Sequence, residues 1–274
     1  MDTIGFIGAG NMAEAFIKGI ITSGLYKPEE VMASDVRLDR LHYLQEAYKI
    51  RITLDNLELA RYAKVVVLSV KPQNMAKMLE GIAGKMRENV LVISIAAGIT
   101  TGYLRRKLGN VQVIRSMPNT PAMVGEGASA LYCTDVSEKA KRRAIELFTA
   151  VGKAVIVEKE ELIDAVTAVS GSGPAYFFLI MEEMVRAAEQ MGIPTDIAEE
   201  LVYQTAKGAG VLAKQAYGRG ESPAELRRKV TSPRGTTEAA MEVFKTQHLG
   251  DVLMAGMTRA RQRSIELSQE VEKE

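Results

Sequence analysis

The chain opens with Thr3-Ile4-Gly5-Phe6-Ile7-Gly8-Ala9-Gly10-Asn11-Met12-Ala13, and no other stretch limits its fold as strongly. An apolar run ends in a glycine turn, and a helical pattern follows. The spacing G-x-G-x-x-A is a dinucleotide-binding fingerprint. Gly8 permits the tight strand-to-helix turn. Gly10 lets a pyrophosphate approach the backbone, and Ala13 lets the helix lie close to the sheet. Free N–H groups at the helix start then face the phosphates. Asp35 closes the next apolar segment, about 20 residues on, where a ribose ligand is expected.

The first half alternates strand and helix. Strand patterns lead into Gly8 and cover 31–34, 50–52, 64–70, 90–94, 111–115, 128–133 and 154–157. Helices are expected over 11–23, 37–48, 74–86 and 137–151, from the capping-box spacing Asp55-Asn56-Leu57-Glu58, and from Thr100 or Thr101 to Gly109. This alternation predicts an α/β fold, a parallel doubly wound sheet of Rossmann type with helices on both faces. Ligands bind such sheets beyond the carboxyl ends of the strands. The strand-end residues therefore form one candidate coenzyme site: Ile7, Gly8, Ala9, Gly10, Asn11, Met12, Ser34, Asp35, Val70, Lys71, Pro72, Ala96, Ala97 and the loop 117–121 containing Asn119.

Beyond Glu158 no strand pattern remains. A helix over 160–169 is broken by Ser170-Gly171-Ser172-Gly173-Pro174. The helix that follows is apolar all round at Ala175-Tyr176-Phe177-Phe178-Leu179-Ile180-Met181, so it needs burial in its own core or against a partner. Further helices are expected over 194–216, from Ser222-Pro223-Ala224-Glu225, from the loop 231–237 through Phe244, and over 251–270. The division predicts domains 1–160 and 161–274, the second all-helical, and a homodimer at least. The loops 170–174 and 232–237 put hydroxyls at helix starts. Such sites either bind a small carboxylate or simply cap the helices.

Composition narrows the function class. A net charge of +1 over 274 residues gives no basic excess for nucleic acid. The apolar runs fall short of the ~18 residues of a membrane span, and the chain starts on a strand without a basic leader. One cysteine, Cys133, excludes an internal disulfide and a thiolate metal cluster. No metal site is expected, and the cytoplasm is the expected compartment.

The segments Gly5-Phe6-Ile7-Gly8-Ala9-Gly10-Asn11-Met12, Val70-Lys71-Pro72, Ser94-Ile95-Ala96-Ala97-Gly98, Arg115-Ser116-Met117-Pro118-Asn119-Thr120-Pro121, Ser170-Gly171-Ser172-Gly173-Pro174-Ala175-Tyr176 and Ser232-Pro233-Arg234-Gly235-Thr236-Thr237 together resemble the pyrroline-5-carboxylate reductase family. The resemblance implies hydride transfer from NADH or NADPH to the C=N carbon of 1-pyrroline-5-carboxylate, giving L-proline. It implies interlocked dimers with substrate at the dimer interface, and often a decameric ring of dimers. It places Asn56 and Lys71 at the adenosine side of the coenzyme, and Ala96, Ala97 and the 117–121 loop beside the nicotinamide. Ser170, Ser232, Gly235, Thr236 and Thr237 become the substrate residues, with Thr237 set to hydrogen-bond or protonate the ring nitrogen. Asp35 favours NADH by repelling a 2′-phosphate, with Arg37 and Lys71 offsetting that repulsion enough for NADPH to be used as well. Arg234 stands where the family commonly has glycine. It either strains the loop, points outward, or offers its charge to an anion.

Two other readings are weaker. A β-hydroxyacid-type dehydrogenase carries a catalytic lysine early in the helix after the second glycine motif. Here that helix has no lysine, and its first basic residue is Arg186. A non-catalytic nucleotide-sensing protein has no use for the 117–121 and 232–237 loops, which are both present.

Overall fold

A computed structural model describes residues 3–273. The chain divides into two compact units, one of residues up to Pro174 with those from Thr258, the other Ala175–Met257.

The first unit is an eight-stranded sheet: β1 Ile4–Ile7, β2 Val31–Ser34, β3 Arg51–Thr53, β4 Val65–Leu68, β5 Leu91–Ser94, β6 Gln112–Met117, β7 Gly127–Tyr132 and β8 Gly152–Val157, in the order β3-β2-β1-β4-β5-β6-β7-β8. Between these strands run α1 Asn11–Thr22, α2 Leu38–Tyr48, α3 Asn56–Tyr62, α4 Met75–Ile82, α5 Thr101–Leu108 and α6 Glu138–Thr149. The strand order reverses at β1/β4, which puts the ligand crevice beyond Ile7 and Leu68.

The alternation predicts a parallel sheet, and one pairing departs from it. β7 pairs antiparallel with β6, and β8 pairs parallel with β7. The segment between β6 and β7 holds only a 3-10 turn, Thr120–Val124, too short for a crossover helix. The link from β7 to β8 contains α6, which is long enough to restore parallel pairing.

Side chains alternate between two cores. Ile4, Phe6, Phe16, Leu41 and Phe148 pack on one face, where Phe16 meets Phe148 edge to face at 4.9 Å between ring centres. Ile7, Leu59, Leu79, Leu104 and Val271 pack on the other. Each fully buried chain of this size contributes about 1.5–3 kcal/mol. Thr100 is the cap of α5, accepting the Tyr103 N–H at 3.0 Å. Asp55 caps α3 through the Leu57 N–H at 2.8 Å, but Glu58 turns to the Thr53 hydroxyl, so the expected capping box is half formed.

After β8, α7 Leu162–Val166 runs into a π-helical turn, Thr167–Gly171, and then into α8 Gly173–Gln190. The expected break at 170–174 is thus a widened turn inside one helix, Leu162–Gln190. The remaining helices are α9 Thr195–Tyr217, α10 Pro223–Lys229, α11 Thr236–Thr246 and α12 Leu249–Glu272. The capping box at Ser222 and Glu225 is complete. The contact boundary at Pro174 lies beyond the expected 160. Asp164 on α7 and Ser264 on α12 are held to the sheet by a buried network described below.

The second unit buries little. Ala198, Val202 and Ala216 are covered, whereas Phe177 is 64% exposed and Met254 69%. The apolar helix is therefore not covered by its own chain. The helix Leu162–Gln190 is also long and apolar enough to cross a membrane by length and composition, which the sequence patterns do not anticipate.

Candidate active site

At the end of β1, Gly8 has φ +96°, and a Cβ there would lie 2.7 Å from the Ser69 carbonyl oxygen. Glycine is required on both counts. Its N–H donates to the Ser34 carbonyl at 2.8 Å, tying the turn to β2. Gly10 caps α1 without any side-chain bond, and a Cβ there would meet nothing within 4 Å. The open space over Gly10 and the uncapped start of α1 fit a dinucleotide pyrophosphate. Asn11 and Met12 form the first turn, and Ala13 is fully buried beneath it.

Asp35 reaches back to this turn. Its Oδ2 accepts the Ala9 N–H at 2.7 Å, and its Oδ1 accepts the Arg37 N–H at 3.0 Å. Each carboxylate oxygen has a second lone pair, so the group retains capacity for a ribose diol. Ser34 donates its hydroxyl to Asn56 Oδ1 at 2.8 Å, which brings the β2 end to the start of α3. Val70, Lys71 and Pro72 follow β4 into a 3-10 turn, with Lys71 exposed at its start. Ala96 and Ala97 lead to Gly98, whose φ of +75° sets it against α12, 3.0 Å from Leu267 Cβ by a built Cβ.

Asn119 is 8% exposed. Its Oδ1 accepts the Ala128 N–H at 2.8 Å, and its Nδ2 donates to the Ser170 carbonyl at 3.0 Å. The carboxamide thus joins the 117–121 loop to the π turn. The Ser170 hydroxyl donates to the Val166 carbonyl at 3.2 Å, and the Ser172 N–H closes the turn on the Thr167 carbonyl at 2.7 Å. Turns of this kind inside α-helices recur at functional sites.

Two clusters have no counterpart among the expected site residues. Arg115, 2% exposed, bonds Asp164 at 2.9 Å and Glu160 at 3.4 Å. Ser264 donates to Asp164 at 2.8 Å, and Glu160 accepts both the N–H and the hydroxyl of Thr101. An arginine directly after the apolar pair Val113-Ile114 of a buried strand is the sequence signal for such a network. The second cluster joins Glu14, Arg40, Tyr43 and Tyr48 beside the glycine turn. Cys133 is half-buried, and burial pushes its thiol up to about 11, as befits a structural cysteine.

On the second unit, Ser232, Gly235, Thr236 and Thr237 lie together at the start of α11. Gly235 is the cap residue and brings no side chain to the first turn of α11. Its N–H bonds the Ser232 carbonyl at 3.0 Å, and a Cβ would stand 2.5 Å from Ser232 Oγ. Arg234 has φ +58°, the conformation that favours glycine, and its N–H donates to Glu238 at 2.6 Å. Arg234 is thus both strained in its backbone and exposed, and Glu238 accepts its N–H. Thr237 is half-buried and Thr236 exposed.

A family model described as pyrroline-5-carboxylate reductase dimerisation matches residues 160–267, and one described as NADP oxidoreductase, coenzyme F420-dependent, matches 3–98. A pyrroline-5-carboxylate reductase of Pseudomonas aeruginosa is 43% identical, covering 98% of this chain and 97% of that protein. The chain belongs to the pyrroline-5-carboxylate reductase family. The structure of a pyrroline-5-carboxylate reductase from Coxiella burnetii matches with a TM-score of 0.90 at 39% identity over 97% of this chain and 98% of that one. That of the Plasmodium falciparum pyrroline carboxylate reductase with NADP bound matches with a TM-score of 0.87 at 26% identity, over 97% and 98%.

Proposed function

We propose that the protein reduces 1-pyrroline-5-carboxylate to L-proline, the last step of proline biosynthesis. The observation that carries this reading is the nearly full-length likeness to pyrroline-5-carboxylate reductases, with an open cradle over Gly10 at one end of the chain and an uncapped α11 loop at the other. The nicotinamide supplies the hydride when bound. The chain positions the reactants and handles the proton. Ile7, Gly8, Ala9, Gly10, Asn11 and Met12 hold the pyrophosphate end, while Ser34, Asp35, Asn56, Val70, Lys71 and Pro72 hold the adenosine end. Ala96, Ala97 and Asn119 border the nicotinamide.

Ser170, Ser232 and the Gly235 and Thr236 backbone receive the substrate carboxylate through N–H groups and hydroxyls. Thr237 donates a hydrogen bond to the ring nitrogen. The C=N carbon gains the hydride, its π electrons become the nitrogen lone pair, and the nitrogen keeps or gains a proton. A cyclic imine is readily protonated, so orientation rather than a strong base is the requirement. NADH is the preferred coenzyme, because the Asp35 carboxylate repels a 2′-phosphate. Residues 161–274 form the substrate and dimerisation domain. The exposed face at Phe177, Phe178 and Leu179 meets a second copy rather than a lipid surface, in a homodimer that extends to a decameric ring. The cytoplasm is the proposed compartment.

The test is coenzyme oxidation with 1-pyrroline-5-carboxylate by the wild type and Thr237→Ala. Loss of at least about tenfold in kcat for the variant is expected, in line with removal of one positioned proton partner. Unchanged turnover removes Thr237 from its role.

A further inference from the structure

The peptide unit at Ala9, in the middle of the glycine turn, is gripped from both sides. Its N–H is held by Asp35 at 2.7 Å, and its carbonyl accepts from Arg40 Nε at 2.7 Å. Arg40 comes from the first turns of α2, so its guanidinium stands one residue of backbone away from the acid that marks the ribose. It is not free there. Its Nη2 is paired with Glu14 on α1, and its guanidinium lies 5.0 Å from the centre of the Tyr43 ring. Glu14 Oε1 accepts two more bonds, from Tyr48 at 2.9 Å and Tyr43 at 3.1 Å.

The side chains of Arg40 and Glu14 are only 18% and 19% exposed, so this is a partly buried latch rather than a surface pair. Burial raises the Glu14 carboxyl, but the bonds from Arg40, Tyr48 and Tyr43 outweigh it and hold the group below the usual carboxylate range. The Tyr48 phenol, pushed up to about 12 by burial and by Glu14, remains a donor. The other guanidinium nearby, Arg37, is exposed and paired with Asp39 at 2.6 Å. Both guanidiniums beside the β2 end are therefore already engaged by carboxylates, Arg37 by Asp39 and Arg40 by Glu14, while Asp35 is bonded to backbone N–H groups.

We propose that the Glu14–Arg40 latch is a determinant of coenzyme choice: it fixes Arg40 on the glycine turn and withholds its charge from a ribose 2′-phosphate. This rests on the coenzyme site proposed above. It assigns selectivity to Glu14, which lies outside the coenzyme residues named above, as well as to Asp35. Removing the Glu14 charge has two effects in one direction. It lowers the negative charge near the ribose and releases the Nη2 side of Arg40 toward the phosphate, where charge-assisted bonds are strongest.

The experiment is calorimetric titration of the whole protein with NADH and NADPH separately, without substrate, for wild type, Glu14→Gln and Glu14→Gln/Arg40→Met. The NADPH-to-NADH affinity ratio rises about tenfold in Glu14→Gln, a change expected of one new charge-assisted bond. It falls back to or below the wild-type value in the double variant. A ratio unchanged in Glu14→Gln, or a gain that survives loss of Arg40, overturns the proposal. General damage to the turn weakens both coenzymes and leaves the ratio where it was. If Glu14→Gln does not fold, Tyr48→Phe loosens the same latch, and a smaller rise is expected; no rise there overturns the proposal too. Binding of neither coenzyme to the wild type overturns the coenzyme site itself, whereas binding with an unmoved ratio refutes only the latch.

Discussion

Replacing Arg115 by methionine tests how the α7 end of the fold is held. The Arg115 side chain is 2% exposed, and its two carboxylate partners, Asp164 and Glu160, are 11% and 20% exposed. Methionine keeps the apolar stem but leaves both acids facing a low-dielectric interior. Asp164 then retains the Ser264 hydroxyl, and Glu160 retains Thr101. Removing one partner of a buried pair costs about 3–5 kcal/mol. For a chain of this size that lowers the melting temperature by about 10 °C. The pair itself adds little net stability, since Arg115 Nε is buried without a partner among the described residues. Arg115→Met/Asp164→Leu should therefore recover part of the loss, since the Glu160 charge still lacks its cation and the abandoned Ser264 hydroxyl costs about 1 kcal/mol. Urea unfolding followed by circular dichroism, at one protein concentration, measures both variants. A loss under about 1 kcal/mol for Arg115→Met, or no recovery in the double variant, refutes the reasoning.

Three more outcomes follow from single positions. Gly8→Ala places a methyl 2.7 Å from the Ser69 carbonyl at φ +96°, so coenzyme affinity measured by titration drops by more than about tenfold, and an unchanged affinity contradicts the turn geometry. Arg234→Gly relieves a left-handed residue, worth about 1–2 kcal/mol, against roughly 0.5–1 kcal/mol of added chain entropy. A small rise in melting temperature is expected, and a fall would show that the arginine side chain holds the loop. The Cys133 thiol, raised to about 11 by burial, is almost wholly protonated at neutral pH, so alkylation by iodoacetamide is slow there and accelerates only as pH climbs toward that value. Rapid labelling at neutral pH contradicts its burial.

The nearer a feature lies to its cause in the chain, the more of it was legible. β2 falls on the expected residues 31–34 because four apolar or small residues end at a turn. The Ser222 cap needed only the proline and glutamate beside it. The antiparallel β7 depended on the length of a loop whose two prolines hide a 3-10 turn. Ser-Gly-Ser-Gly-Pro has poor helix propensity and so points to a break, but tertiary contacts from Asn119 and Met117 favour a π turn there. The fingerprint points to candidate coenzyme residues, yet the partners of Ala9 sit at Asp35 and Arg40, on other elements. Arg115 and Asp164 meet only through the sheet. Pattern reading finds the elements, and long-range polar pairs need the folded coordinates.

The most direct measurement is the fate of deuterium carried at C4 of the reduced nicotinamide. The protein is incubated with 1-pyrroline-5-carboxylate and each deuterated coenzyme, and the proline is analysed by mass spectrometry and NMR. Proline carrying a single deuterium at C5, with NADH the better donor, is the predicted result. Coenzyme binding without proline formation, or proline with no label at C5, would contradict reduction of the imine carbon at this site.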